Sequence, residues 1–286
     1  MNLSRIALIV SVGSLAALAS PCRAQSVITE WTFDNLATGS NQAPAPSVDT
    51  TGTATAVSLG MSSTGLNSTA GATGPDTSNI YTLQGTDASA GNTSSTNSTW
   101  RIVGTNGWNS AAAIGTQGAQ FDVSTAGESN ISLSFDISMS VQAEANLQVQ
   151  YATDGVTWNN AALSYGGLGA SILTNSSVST LVNGTYFHGS PSSVDAWFNG
   201  ITANFSGISA VNNDPNFAVR IVNASTGASD VNLKTNTAIN NTSGNWRLDD
   251  VTFTGTAIPE PSSWALLVGC AALAAAAVRR RPAVSA

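Results

Sequence analysis

The stretch Ile131-Ser132-Leu133-Ser134-Phe135-Asp136-Ile137-Ser138-Met139-Ser140-Val141 alternates apolar and small polar side chains without a break. A period of two is the repeat of an extended chain, whose successive side chains point to opposite faces of a sheet. Ile131, Leu133, Phe135, Ile137, Met139 and Val141 therefore share a face fit for a core, while the serines and Asp136 share the face turned toward water. Just downstream, Leu147-Gln148-Val149-Gln150-Tyr151-Ala152-Thr153 alternates again. Asp154-Gly155 then supplies the positive φ values of a tight hairpin ahead of Val156-Thr157-Trp158. The direct reading is a β-meander.

Outward from this centre, β-branched and aromatic runs predict strands at Val27–Phe33, Ala203–Phe205, Phe217–Val222 and Trp246–Thr254. Residues 37–99 are dominated by Ser, Thr, Gly, Ala and Asn, and apolar islands stand at Ala56–Leu59, Ile80–Leu83 and Trp100–Val103. That pattern predicts short strands joined by long loops. No helical periodicity of useful length interrupts residues 25–257. The expectation is an all-β, jelly-roll-like antiparallel β-sandwich over that range.

The two ends are of another kind. Arg5 precedes an apolar run, Ile6–Ala19, and Ser20-Pro21-Cys22-Arg23-Ala24 offers the small residues that a signal peptidase reads. Residues 1–24 are thus expected to be a signal peptide cut after Ala24. At the C-terminus, Pro259-Glu260-Pro261 precedes the apolar run Trp264–Val278 and the cluster Arg279, Arg280, Arg281. The run makes about 22 Å of helix, a little short of the roughly 20 residues of an ordinary spanning helix. The arginines favour the cytoplasmic face and Trp264 the opposite interface, which puts the long upstream region outside.

This order over residues 258–281 resembles the PEP-CTERM sorting signal. The resemblance implies an exported bacterial protein held in the membrane by its C-terminal helix. An exosortase, a membrane-embedded cysteine transpeptidase, would recognise Pro259-Glu260-Pro261 and process the chain. Localisation at the cell surface or in the extracellular space follows from it.

Between the ends, residues 25–257 carry four basic residues, Arg101, Arg220, Lys234 and Arg247, against fifteen acidic ones. A net charge of about minus eleven argues against nucleic acid and anionic membrane surfaces as partners, since both call for basic patches. Cys22 and Cys270 both lie outside this range, so the folded region manages without a disulfide. With no cysteine there and a single histidine, His188, thiol proteases and multi-histidine zinc sites are excluded. No Gly-x-Ser-x-Gly turn accompanies His188, which is expected in a loop, and catalysis is not expected.

The Trp31-Thr32-Phe33 strand, the Tyr151–Trp158 hairpin and the closing Arg247-Leu248-Asp249-Asp250-Val251 strand resemble the jelly-roll ectodomains of PEP-CTERM proteins, and carbohydrate-binding modules of that shape. The second resemblance implies a structural Ca2+ held by Asp249 or Asp250 with Glu30 or Asp34. The alternative is a sheet-end pair that is solvated or matched with Arg247. Trp100, Trp108, Trp158, Trp197 and Trp246 are the candidates to stack on sugar rings, most of them being expected in the core. The expected function is a non-catalytic, surface-sorted protein of the cell envelope or extracellular polysaccharide matrix. A carbohydrate-binding module is the alternative and a secreted hydrolase the second alternative.

Overall fold

The alternating centre forms a twelve-residue strand, and extended segments recur on both sides of it. In chain order the strands are β1 (Ser26–Trp31), β2 (Val48–Asp49), β3 (Thr55–Leu59), β4 (Ser63–Asn67), β5 (Ser98–Ile102) and β6 (Trp108–Asn109). There follow β7 (Gly118–Asp122), β8 (Glu128–Met139), β9 (Asn146–Ala152), β10 (Asn159–Asn160), β11 (Leu163–Ser164) and β12 (Ala170–Thr174). The series ends with β13 (Thr185–Gly189), β14 (Ala196–Asn204), β15 (Ala218–Asn223), β16 (Asn240–Asn241) and β17 (Trp246–Ala257). The computed structural model describes residues 24–33, 43–61, 63–67, 98–103, 107–166, 170–174, 185–189, 195–241, 244–259 and 269–276.

Two antiparallel sheets account for nearly all of these strands. Sheet A runs in the order β11-β14-β8-β17-β1-β2, with β5 also on β17 and β4 on β5. Sheet B runs β12-β13-β9-β15-β7-β3, with β10 on β9. Their inner faces meet across aromatic contacts: Trp31 of β1 touches Phe121 of β7 with ring centroids 5.0 Å apart. Trp100 of β5 reaches the same Phe121 at 5.9 Å, and Phe187 of β13 meets Phe198 of β14 at 5.0 Å. Residues Gln25–Thr256 form one compact all-β unit, a sandwich around a single apolar core. Burying each such side chain contributes about 1.5–3 kcal/mol, which lets a chain so poor in charged pairs hold its shape.

Strand β8 keeps the expected inner face as far as Met139, and Val141 lies beyond the strand, only partly buried. Ile131, Leu133, Phe135, Ile137 and Met139 are buried in the core. Its other face departs from expectation, because Asp136, Ser138 and Ser140 are buried too. Asp136 accepts the Gly200 backbone N–H at 2.7 Å, and the Ser140 hydroxyl accepts that of Asn245 at 2.8 Å. The first of these bonds secures an irregularity of β14 between Phe198 and Ile201, where Gly200 takes φ 70°. A bulge leaves one N–H out of the ladder, and the carboxylate receives it.

The meander is corrected as well. β8 belongs to sheet A and β9 to sheet B, so the chain crosses between the layers after Ser140, turning on an Ala143 N–H to Ser140 C=O bond. Alternation reports which face of a strand is buried and carries no information about its neighbour. The Asp154-Gly155 hairpin is present, but its loop runs from Thr153 to Trp158. Asp154 ties that loop by accepting the N–H groups of Val156 and Thr157 at 2.9 and 2.6 Å. Val156-Thr157-Trp158 is therefore loop, and the returning strand is β10.

Residues 269–276 are an exposed helix, described by itself. Among the described residues no helix is long and apolar enough to cross a membrane. Residues 1–23, Ile80–Leu83, Glu260, Pro261 and Arg279–Arg281 lie outside the described residues, so most of the sorting motif does too.

Candidate functional site

Inner positions of β7, β15 and β9 carry Phe121, Val219, Ile221 and Val149, all buried. The alternate residues consequently line the outer face of sheet B, and cross-strand register arranges them in rows. One row is Val57, Gln120, Arg220, Gln150 and Asn160, drawn from β3, β7, β15, β9 and β10 in turn. Arg220 donates from Nη2 to Gln150 Oε1 at 2.9 Å, and Gln150 donates from Nε2 to Asn160 Oδ1 at 3.0 Å. Gln120 Nε2 turns to Asp122 Oδ1 at 2.8 Å, and the Thr55 hydroxyl donates to the other Asp122 oxygen at 3.1 Å.

The hairpin loop delivers Trp158 onto this row. The Arg220 guanidinium carbon lies 3.7 Å from the centroid of the half-buried Trp158 ring. Such a stack attracts a cation to the ring face and fixes the plane of the guanidinium. Burial pulls the Arg220 pKa down to about 10, which leaves it cationic at neutral pH. Beside Gln120 opens a depression of about 360 Å³, lined by Thr53, Asp122, Asp154, Gly155 and Asn216 among others. Hydrogen bonds from the Thr157 side chain and backbone, and from the Val156 N–H, hold the Asp154 carboxyl down at about 2, so it is an anion across ordinary pH.

The chain matches no known protein family, and no curated protein matches it.

Farther along the same outer face, two segments form a roof. Ile114 packs on Tyr186 and Ala224, and the Asn146 amide donates to the Ser225 hydroxyl and the Ser229 carbonyl, both at 2.9 Å. Beneath lies Glu144, 0% exposed, whose Oε1 accepts the Asn146 N–H at 2.9 Å and the Ser225 hydroxyl at 3.0 Å. Asp230 is 1% exposed, and burial raises its pKa to about 7. His188 is not in a loop: it stands on β13 opposite Asn146, with Nδ1 2.6 Å from Asn146 Oδ1. Burial lowers its pKa. The arrangement fastens loops to the sheet.

The candidate tryptophans divide sharply. Trp100, Trp108 and Trp197 are buried, as is Trp246, so their faces are occupied by protein and cannot meet a sugar. Trp108 and Trp246 pack at 4.4 Å, and Trp246 Nε1 donates to the Glu144 carbonyl at 2.8 Å. Of the five candidates only Trp158 is partly exposed. Asp249 and Asp250 do not simply alternate, because Asp250 adopts φ 45° and both Leu248 and Val251 are buried. Asp249, 0% exposed, accepts the Asp250 N–H at 3.0 Å.

Glu30 stands opposite Thr252 and accepts its hydroxyl at 3.3 Å, while Asp34 lies outside the described residues. Arg247 reaches Asp195 at 3.9 Å. Among the described residues no group of three or more acid, histidine or cysteine side chains converges to hold a metal. Sequence reasoning did not single out Gln120, Gln150, Asn160 or Arg220 as a site. The one available sign was a lone arginine between Val219 and Ile221 in an otherwise apolar strand.

Proposed function

We propose that this chain is an exported, surface-sorted, non-catalytic β-sandwich, jelly-roll-like in its ectodomain, which contacts extracellular polysaccharide through the open half of the outer face of sheet B. The observation that carries the contact is the row Gln120, Arg220, Gln150 and Asn160 with Trp158 stacked on the arginine. Planar amides and a guanidinium match the donor and acceptor pattern of sugar hydroxyls, and an indole edge offers apolar surface to a ring. Export and sorting are supported by the sequence at residues 1–24 and 258–281, with signal peptidase and an exosortase as the processing partners and a C-terminal helix as the interim membrane anchor.

Affinity electrophoresis of the full-length chain, in non-ionic detergent gels cast with its host's extracellular polysaccharide, tests the contact. Retardation that disappears in Trp158→Ala is expected. Unretarded migration, or equal retardation of the variant, refutes it. For sorting, replacing Pro259 and Glu260 by Ala removes the break that keeps Glu260 out of the helix. The chain is then expected to stay unprocessed in the membrane fraction of an exosortase-positive cell, and normal release would mean that the segment is only an anchor.

A further inference from the structure

We infer that the Arg220–Trp158 pair is a receptor for the carboxylate of an acidic sugar, so that the polysaccharide contacted is one bearing uronate groups. This rests on the proposed polysaccharide contact and narrows it to a chemical class.

Arg220 is short of acceptors. Among the described residues the Arg220 side chain makes one hydrogen bond, to the neutral amide of Gln150, and no carboxylate lies within ion-pair distance of it. Its Nε is buried with no acceptor there. Fifteen acids lie between residues 25 and 257 with four basic residues, yet none of the acids pairs with Arg220 among the described residues. A partly buried guanidinium without a counter-ion is unfavourable, and its lowered pKa is the same fact seen from the proton's side. A group held this way gains most from an incoming anion.

Geometry then selects the anion. Stacking on Trp158 holds the guanidinium plane, and the Gln150 bond fixes its rotation about the side-chain axis. Both restrict a long side chain before any ligand arrives, which lowers the ordering cost of binding. With Nε buried and Nη2 already on Gln150, the Nη1–Nη2 end of the fork is the edge that matches a planar carboxylate with two parallel N–H to O bonds. The neighbours supply what a sugar ring around that carboxylate needs. Gln120, Gln150 and Asn160 offer neutral amides for hydroxyls, whereas Asp122 and Asp154 line the depression beyond Gln120 and repel a second negative charge there. The depression therefore suits the hydroxyl-bearing part of the chain and Arg220 the acid group.

The surface is poorly suited to polyanions of high charge density. A nucleic acid carries about one charge per 1.7 Å of duplex, and a single arginine on a region, residues 25–257, of charge near minus eleven releases too few counter-ions to hold it. An isolated acid group on a mostly neutral sugar chain avoids that repulsion, because charges farther away than about 8–10 Å are screened at physiological salt.

The test uses the full-length protein in non-ionic detergent and two forms of one polymer. The first is glucuronoxylan, a neutral chain with isolated glucuronate branches, and the second is the same polymer with its carboxyls reduced to alcohols. Titration calorimetry is expected to give about tenfold to hundredfold tighter binding to the acidic form, with the preference shrinking in high salt. Arg220→Gln should abolish the preference, and Arg220→Lys should keep only a small part of it. Equal affinity for both polymers overturns the carboxylate assignment and leaves the polysaccharide contact standing. No binding to either overturns both. A preference that survives in Arg220→Gln puts the acid-binding group elsewhere and also overturns the assignment. The comparison of polymers on the unaltered protein needs no variant, and a melting curve for each variant separates loss of fold from loss of the site.

Discussion

The two halves of the outer face of sheet B hold similar polar groups in opposite circumstances. In the roofed half, Asn146 bonds Glu144, Ser225 and His188 beneath the 110–116 and 225–230 segments, and the second Glu144 oxygen is buried with no partner among the described residues. In the open half, Gln120, Arg220, Gln150 and Asn160 form a row, and the cation at its centre still lacks an anionic partner among the described residues. The same strands, β9 and β15, run through both. What separates the halves among the described residues is the extent of cover: two segments bond down onto the roofed groups, whereas the row is met by the one loop that carries Trp158.

The largest effect expected lies in the roofed half. Glu144→Ala strands the Asn146 N–H and the Ser225 hydroxyl and leaves a void, at a cost of about 3 kcal/mol. A melting temperature within a degree or two of the parent would mean that the network is not what fastens the roof. Next is Asp230. Its pKa is raised from 3.8 to about 7 by burial, so between those values the folded state holds a proton that the unfolded state has lost. Stability is therefore full below about pH 4, declines as pH rises to about 7 and levels above it. Asp230→Asn should flatten that decline and gain about 1–4 kcal/mol at pH 8. Unchanged curvature of melting temperature against pH would place the titration elsewhere.

Gly115 lies where the two halves meet. It adopts φ 79°, and a Cβ there would sit 2.8 Å from Gln150 Oε1. Gly115→Ala is expected to cost about 1–2 kcal/mol and to push Gln150 away from Arg220, coupling a roof substitution to weaker ligand binding. Normal binding in that variant would show the halves to be independent. The smallest stability effect belongs to Trp158→Ala, under about 1 kcal/mol. It nevertheless should remove polysaccharide binding, and a large drop in melting temperature instead would assign Trp158 to the fold.

Much of the sandwich was legible in the chain. The strand positions around 131–139, 147–152, 218–222 and 246–254 followed from alternation and from β-branched runs. Strand partnership was not legible, and β8 and β9 fell into different sheets because a period of two is indifferent to the neighbour. Trp100 follows a Ser/Thr-rich stretch that suggests surface, yet its own position faces Phe121. The parity slip at Asp250 depends on one left-handed residue, which Asp tolerates without announcing it. Of the site, Trp158 was legible as a type, while its partner lies 62 positions away on β15 and only the fold of the 153–158 loop over the sheet unites them.

The seven tryptophans of the chain give the central claim its most direct test. In an NMR titration of the full-length protein with glucuronoxylan fragments, each indole N–H reports on its own surroundings. The Trp158 resonance is expected to move with increasing ligand, while those of the buried Trp31, Trp100, Trp108, Trp197 and Trp246 stay in place. A stationary Trp158 alongside a shifting buried indole would contradict that claim.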